Sequence, residues 1–206
     1  EEEHVHDETC DHDHEEEHEC DETCDHDHEV DEHIWLSITN AIKVCQEISN
    51  IFAGIDTENK ANFELNFENY KVELLQLDTL YKEVVAEAKS DTLIFGDRFP
   101  FAYFVKDYNL NYFSAFSSCT AETEASFETI LLLTEKINEL NVSAVLTIEN
   151  PQHKIAETLV ENSNYKDTQI LVLHSLQGIT TAEINNGLTY LSVMTENLEV
   201  IKEALN

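Results

Sequence analysis

Positive charge is scarce in this chain and missing altogether from its amino end. Only 11 of the 206 residues are Lys or Arg, against 43 Asp and Glu, and no basic residue precedes Lys43. A formal net charge of −32 repels both nucleic acid and anionic membrane surfaces. The composition therefore excludes nucleic-acid binding and favours cationic partners, metal ions among them.

Long hydrophobic runs are absent too. No window approaches the roughly 18 consecutive apolar residues of a membrane span, and no basic-then-apolar signal peptide opens the chain. The sequence predicts no transmembrane segment. It begins at Glu1 without a methionine, and an acidic low-complexity start resembles the middle of a protein, so we expect a piece of a longer chain.

Catalytic motifs are also missing. We find no nucleophile paired with a base and no phosphate-binding loop. His14 and His18 match the spacing of the HExxH zinc-peptidase motif, but that motif requires an amphipathic helix beside a cleft. The stretch from Thr9 to Thr23 contains no apolar residue other than cysteine. We therefore do not expect an enzyme.

Metal-type side chains are concentrated in the first 33 residues, where the octapeptide DETCDHDH occurs twice, at residues 7–14 and 21–28. This stretch holds 8 of the 10 histidines and 3 of the 5 cysteines. In an extended chain each repeat points one cysteine and two histidines the same way. Such a thiolate and imidazole set suits four-coordinate zinc. The predicted tail ligands are Cys10, His12, His14, Cys24, His26 and His28. The alternative is a solvated acidic tail with incidental histidines.

The chain divides into three predicted parts. Residues 1–32 form a disordered metal-collecting segment, residues 33–90 a helical segment and residues 91–206 an α/β lobe. In the helical segment we predict a first helix that Ser37 caps, that runs to about Phe52 and that Gly54 ends.

A second helix follows, which Asp56 or Thr57 caps. Its apolar residues alternate spacings of four and three without a break, which predicts one helix over residues 58–90, about 50 Å long. These residues are Phe63, Phe67, Tyr70, Leu74, Leu77, Tyr81, Val84 and Ala88.

Strands and helices alternate from Asp91 onward. The apolar segments TLIFG, NYFSAF, AVLTIE and TQILVLH predict an α/β fold with a four-stranded, mainly parallel sheet flanked by helices. We predict helices through Tyr103 and Phe104, from about Glu124 to Leu140, and after Pro151. A final helix opens with a capping box of Thr180 and Glu183. Its predicted buried face comprises Ile184, Leu188, Leu191, Met194, Leu198, Ile201 and Leu205.

Ligands in parallel sheets bind beyond the carboxyl ends of the strands. The residues at those ends are Asp97, Arg98, Cys119, Glu149 and His174. His33 lies where the tail meets the fold, in DEHIWLS. A lone histidine is more often a structural hydrogen-bonding residue, but beside a metal-binding tail His33 and His174 become candidate ligands.

The segment DEHIWLS, directly after a His-rich acidic stretch, resembles the second metal-ligand segment of ZnuA-like solute-binding proteins of bacterial metal ABC importers. The similarity continues through TLIFGDRFPFAYFVKDYNLNY and VLTIENPQHKIAETL to the closing GLTYLSVMTENLEVIKEAL. It covers residues 31–206. The resemblance implies two α/β lobes joined by one long helix, with the first lobe and one histidine ligand preceding Glu1.

The resemblance also implies a ligand set. Its second histidine falls at His33, and its fourth ligand, usually Asp, falls at His174. Its third ligand falls at Arg98, which cannot bind a cation. Either Asp97, just before it, takes that role through a shifted loop, or the site loses a ligand. A site of His33, His174 and Asp97, completed by the preceding histidine, is nitrogen-rich and suits zinc better than manganese.

We therefore expect a zinc-binding component of a metal ABC importer, in the periplasm or as a cell-surface lipoprotein, that delivers metal to a membrane permease. One alternative is a free-standing zinc buffer or chaperone in which the tail alone binds. Another is an acidic module that holds calcium or a basic partner.

Overall fold

The computed structural model describes residues 31–116, 125–149 and 152–206. Several sequence predictions lie outside the described residues. These are the tail ligands Cys10, His12, His14, Cys24, His26 and His28, together with Cys119, Glu124 and Pro151.

The first helix, α1, begins where it is predicted. A short 3₁₀ turn, Ile34–Leu36, leads into α1, Ile38–Ile55, and the Ser37 hydroxyl accepts a hydrogen bond from the Asn40 amide at 3.0 Å. The prediction that Gly54 ends the helix was wrong. Gly54 is the penultimate residue of α1 and does not adopt the positive φ with which a glycine ends a helix.

The long helix is continuous, as predicted, and comprises Lys60–Glu87 as α2. Its 28 residues span about 42 Å at roughly 1.5 Å per residue. The predicted caps were wrong, because Asn59 occupies the N-cap position. The Asp56 carboxylate instead accepts hydrogen bonds from the Asn59 amide at 3.2 Å and from its side-chain nitrogen at 2.7 Å. Asp56 thus stabilises the turn that precedes the helix.

In the part of the chain that the structure describes, four parallel strands form the sheet, which confirms the predicted fold class. They are β1, Thr92–Phe95; β2, Asn111–Ser114; β3, Ala144–Thr147; and β4, Gln169–Val172. Their spatial order is β2-β1-β3-β4, and every pairing is parallel. All four carboxyl ends therefore lie along one edge of the sheet.

Helices cover both faces of this sheet. Leu93 and Phe95 of β1 pack into a core cluster with side chains of α2, whereas Ile94 between them packs into a second cluster on the other face. The remaining helices of this region are α3, Ala102–Asp107; α4, Phe127–Leu140; and α5, Lys154–Asn162. Helix α4 begins later than predicted, because Ser126 is its N-cap and accepts from the Thr129 amide at 3.1 Å.

The predicted final helix is two helices. The capping box of Thr180 and Glu183 opens α6, Thr181–Asn185, as predicted, but α6 stops there. Gly187 has a φ of +95°, which breaks the helix, and Thr189 caps α7, Tyr190–Ala204. Ile184 is consequently 58% exposed instead of buried. Among the described residues, no helix is long and apolar enough to cross a bilayer.

Candidate metal centre

Three acidic or imidazole side chains follow adjacent strands at the carboxyl edge of the sheet. Asp97 comes shortly after β1, Glu149 shortly after β3 and His174 shortly after β4. Since β1, β3 and β4 are neighbours in that order, their loops meet at one edge.

Asp97 joins the ends of β1 and β3. The residue is 7% exposed, and its carboxylate accepts hydrogen bonds from the Arg98 amide at 2.8 Å and the Ile148 amide at 3.3 Å. Each of its two oxygens therefore already holds a backbone group. A metal would have to use the remaining lone pairs of this carboxylate or displace one of the amides.

Glu149 organises the loop that follows β4. Its carboxylate accepts hydrogen bonds from the Ser175 amide at 2.6 Å, the Ser175 hydroxyl at 2.7 Å and the Gln177 amide at 3.1 Å. Burial raises the pKa of this carboxyl, but the hydrogen bonds from Ser175 and the nearby His174 outweigh burial, so its pKa lies below the ordinary value. Glu149 is therefore charged at neutral pH.

His174 is held by its Nδ1 atom. This nitrogen lies 3.0 Å from the Leu176 amide, which donates to it, and 3.4 Å from the nearer Glu149 oxygen. Because an amide only donates, Nδ1 must be unprotonated, and a neutral ring then carries its proton on Nε2. Leu176 has a φ of +62°, a conformation uncommon for a residue other than glycine.

His33 is held in the opposite way. Its Nδ1 atom lies 2.6 Å from Asp31 Oδ1, which also accepts the His33 backbone N–H at 2.8 Å. Because an ionised carboxylate only accepts, Nδ1 carries the proton and the lone pair of Nε2 is available to a metal. Tyr103 donates to the Asp31 carbonyl at 2.9 Å, which holds this carboxylate-bearing residue against α3.

Trp35 connects the two histidine segments. Its indole nitrogen donates to the Ser175 carbonyl at 3.0 Å, and the Tyr190 hydroxyl donates to the Trp35 carbonyl at 2.8 Å. The ring of Trp35 also packs edge-on against the ring of His33, with centroids 5.3 Å apart. Trp35 thus contacts His33 through its ring and bonds Ser175, the residue next to His174, through its indole nitrogen.

The predicted ligands outside the tail, His33, Asp97 and His174, do not form one cluster. Within the described ranges, Asp31, Glu32 and His33 are the one group of at least three metal-type side chains whose ligand atoms all come within 4.8 Å of each other. His33, Asp97 and His174 form no such group. Trp35 links the segment of His33 to Ser175, the residue after His174, and Glu149 also bonds Ser175. Asp97 bonds the Ile148 amide, next to Glu149.

The sequence matches the family model for ZnuA, the periplasmic component A of the zinc-uptake complex, over residues 1–204. This chain belongs to the ZnuA family. The high-affinity zinc uptake system protein ZnuA of Bacillus subtilis is 32% identical over 179 residues, which cover 85% of this chain and 54% of that protein. The zinc-binding protein AdcA of Streptococcus pyogenes serotype M6 is 30% identical, over 84% of this chain and 32% of that protein.

Solved structures of the family share the architecture of this chain. The Zn(II)-bound ZnuA-like domain of Streptococcus pneumoniae AdcA superposes with a TM-score of 0.68 at 28% identity, over 85% of this chain and 64% of that one. These matches confirm the resemblance and the α/β fold class. The chain spans about a third of the length of the Streptococcus pyogenes protein and about half of the length of the Bacillus subtilis protein.

Sequence reasoning named both histidines of this ZnuA-family chain but missed the residues that hold them. Asp31, two positions before His33, gave a detectable signal, because a carboxylate beside a candidate ligand histidine is a common outer partner. Glu149 was noted only as a strand-end residue. Asn197, on α7, gave no local signal at all, although its side chain bonds the backbone of His174.

Proposed function

We propose that this chain is the zinc-binding solute-binding component of a metal ABC importer, working outside the cytoplasmic membrane and delivering zinc to the permease. The observation that carries the proposal is the hydrogen bond from His33 Nδ1 to Asp31, which prepares Nε2 as a ligand. Two relatives, a high-affinity zinc uptake system protein and a zinc-binding protein, agree with zinc as cargo.

The proposed site uses nitrogen donors from two segments. His33 and His174 supply imidazole nitrogens, and Asp97 is the candidate carboxylate, completed by a histidine from a preceding lobe. Zinc suits this set better than manganese, which prefers oxygen ligands. For His174 to bind through Nε2, its proton must move to Nδ1, and the Leu176 amide that donates to Nδ1 at 3.0 Å must turn away from it. The new Nδ1–H then faces the Glu149 oxygen 3.4 Å away. Glu149 is therefore the group that accepts this hydrogen bond when metal is bound.

Each proposed domain has its own role in zinc binding. Residues 1–32 collect metal through Cys10, His12, His14, Cys24, His26 and His28. The helical segment, residues 33–90, presents His33, and the lobe, residues 91–206, presents Asp97 and His174. No covalent step is needed, because the role is to capture and release an ion.

A zinc titration of the full chain against a competing chelator tests where the metal binds. One variant replaces His33 and His174 by alanine, and a second replaces the six tail ligands by serine or alanine. His153→Ala is the matched control, because His153 is a histidine of the described residues that the proposed ligand set does not use. We expect the double variant to lose the tightest zinc, the tail variant to lose weaker equivalents and the control to match the parent.

The free-standing zinc buffer is the second candidate, which the duplicated octapeptide favours. It predicts the reverse pattern, in which the tail variant loses the tightest zinc and the replacement of His33 and His174 changes little. Calcium or basic-partner binding that survives in both variants would point to the acidic module instead.

A further inference from the structure

The side chain of Asn197 forms two hydrogen bonds with the backbone of His174. Its Oδ1 atom accepts the His174 N–H at 2.8 Å, and its Nδ2 atom donates to the His174 carbonyl at 2.9 Å. Asn197 lies on α7 and is 3% exposed. The buried carboxamide thus uses its oxygen and one N–H on His174, and its nitrogen also lies 3.8 Å from Met194 Sδ.

The position of β4 explains why this contact is needed. Strand β4 is the last strand of the sheet and has β3 as its sheet neighbour. Leu173 donates its N–H to the Thr147 carbonyl at 2.8 Å, toward β3. Because successive residues of a strand direct their backbone groups to opposite edges, the groups of His174 face the other side. Asn197 supplies there the acceptor and donor that a further strand would supply.

A second contact fixes the next residue along. The Ser175 amide donates to Glu149 at 2.6 Å, on the β3 side of the loop. Hydrogen bonds therefore fix the backbone of His174 to α7 and the backbone of Ser175 to the loop after β3. An imidazole that ligates a metal needs such a fixed backbone, because a misplaced ring loses coordination geometry.

We propose that Asn197 is a positioning residue for zinc binding, which sets the backbone from which His174 reaches the metal. The inference rests on the proposed function, in which His174 is a ligand. Asparagine suits the task because its planar amide offers one acceptor and a donor at fixed spacing. Alanine offers neither group, and serine is too short to reach both backbone atoms.

The test measures zinc binding at the His174 ring by NMR, in the full chain. Ring ¹⁵N signals of His174, assigned by their loss in His174→Ala, are followed while chelator-buffered zinc is added. The variants are Asn197→Ala, the milder Asn197→Ser and the double variant with His174→Ala. Ser143→Ala is the matched control, since the Ser143 hydroxyl also ties the sheet to α7, bonding the Glu203 and Ala204 carbonyls at 2.8 and 3.0 Å.

We expect both Asn197 variants to shift the His174 ring signals and to weaken zinc binding there by on the order of 10-fold or more, the size found for outer partners of ligand histidines. Ser143→Ala should bind like the parent chain. In a chelator competition, Asn197→Ala should cost nothing further once His174 is already alanine.

Two results would overturn the inference, and they differ in what else they overturn. If His174→Ala weakens zinc binding but both Asn197 variants bind like Ser143→Ala, Asn197 is merely structural and the proposed function stands. If zinc leaves the His174 signals of the parent chain unmoved, His174 is not a ligand, and both the proposed site and the positioning role are wrong.

Discussion

His33 and His174 are both candidate ligands, yet the structure prepares them in opposite ways. The Nδ1 atom of His33 faces a carboxylate at 2.6 Å, whereas the Nδ1 atom of His174 accepts a backbone amide at 3.0 Å. A carboxylate forces the proton onto Nδ1, and an amide forces it off. One ring is ready to ligate through Nε2 and the other must first exchange its tautomer. The ligand competence of a histidine thus depends on its hydrogen-bond partner.

Replacing each histidine in turn tests this difference most directly. His33→Ala should weaken zinc binding by more than the roughly 100-fold upper range for loss of an outer partner, because a direct ligand is lost. His174→Ala should weaken zinc binding by a smaller factor, because the free energy of the tautomer exchange already reduces the contribution of this ring to binding. Chelator-competition titrations measure both, with His153→Ala as control. An equal or larger loss for His174→Ala would contradict the ranking.

Asp31 provides the second test, because it alone makes His33 the ready ring. Asp31→Ala removes the acceptor of His33 Nδ1–H and should weaken zinc binding by on the order of 10- to 100-fold. Asp31→Asn should cost less, since its amide oxygen can still accept that hydrogen. Asp167→Asn is the control, because Asp167 is an exposed aspartate just before the amino end of β4, at the opposite edge of the sheet. Unchanged affinity in Asp31→Ala would show that the carboxylate does not set the ring.

Trp35→Phe probes the link between the two histidine segments. The substitution keeps an aromatic ring beside His33 but removes the hydrogen bond to the Ser175 carbonyl. We expect the free energy of unfolding to fall by about 1 kcal/mol, the usual net worth of such a bond. Urea denaturation measures this change. Tyr112→Phe, whose ring stacks on Phe99 at the far edge strand, is the control and should unfold like the parent.

The smallest expected effect concerns Glu149 and pH. Its pKa is lowered in the folded chain, so its contribution to stability is present above the ordinary carboxyl value and disappears as pH falls through the folded value. Glu149→Gln should therefore be less stable than the parent at pH 7, and the gap should narrow toward pH 3.5. Thermal unfolding at both pH values measures the gap. A gap that stays constant would show that this carboxylate does not stabilise the fold through its charge.

The sequence predicted the elements whose signals are local. The uninterrupted apolar stripe predicted one long helix, and the four apolar segments predicted the parallel strands, because periodicity reports which face of an element is buried. Prediction failed where a single residue changes the backbone. Gly54 looked like a helix end but lies inside α1, whereas Gly187, with its positive φ, splits the predicted final helix into two.

By itself, the sequence determined the fold class, the family and the two histidines to examine, since these follow from apolar pattern and from segments read in order. Only the tertiary structure decided what each histidine contacts. Glu149 and Asn197 lie 25 and 23 positions from His174, and the Trp35 bond to Ser175 spans 140. Such bonds form because distant elements meet at one edge of the sheet, and no local pattern records which donor will then face which acceptor.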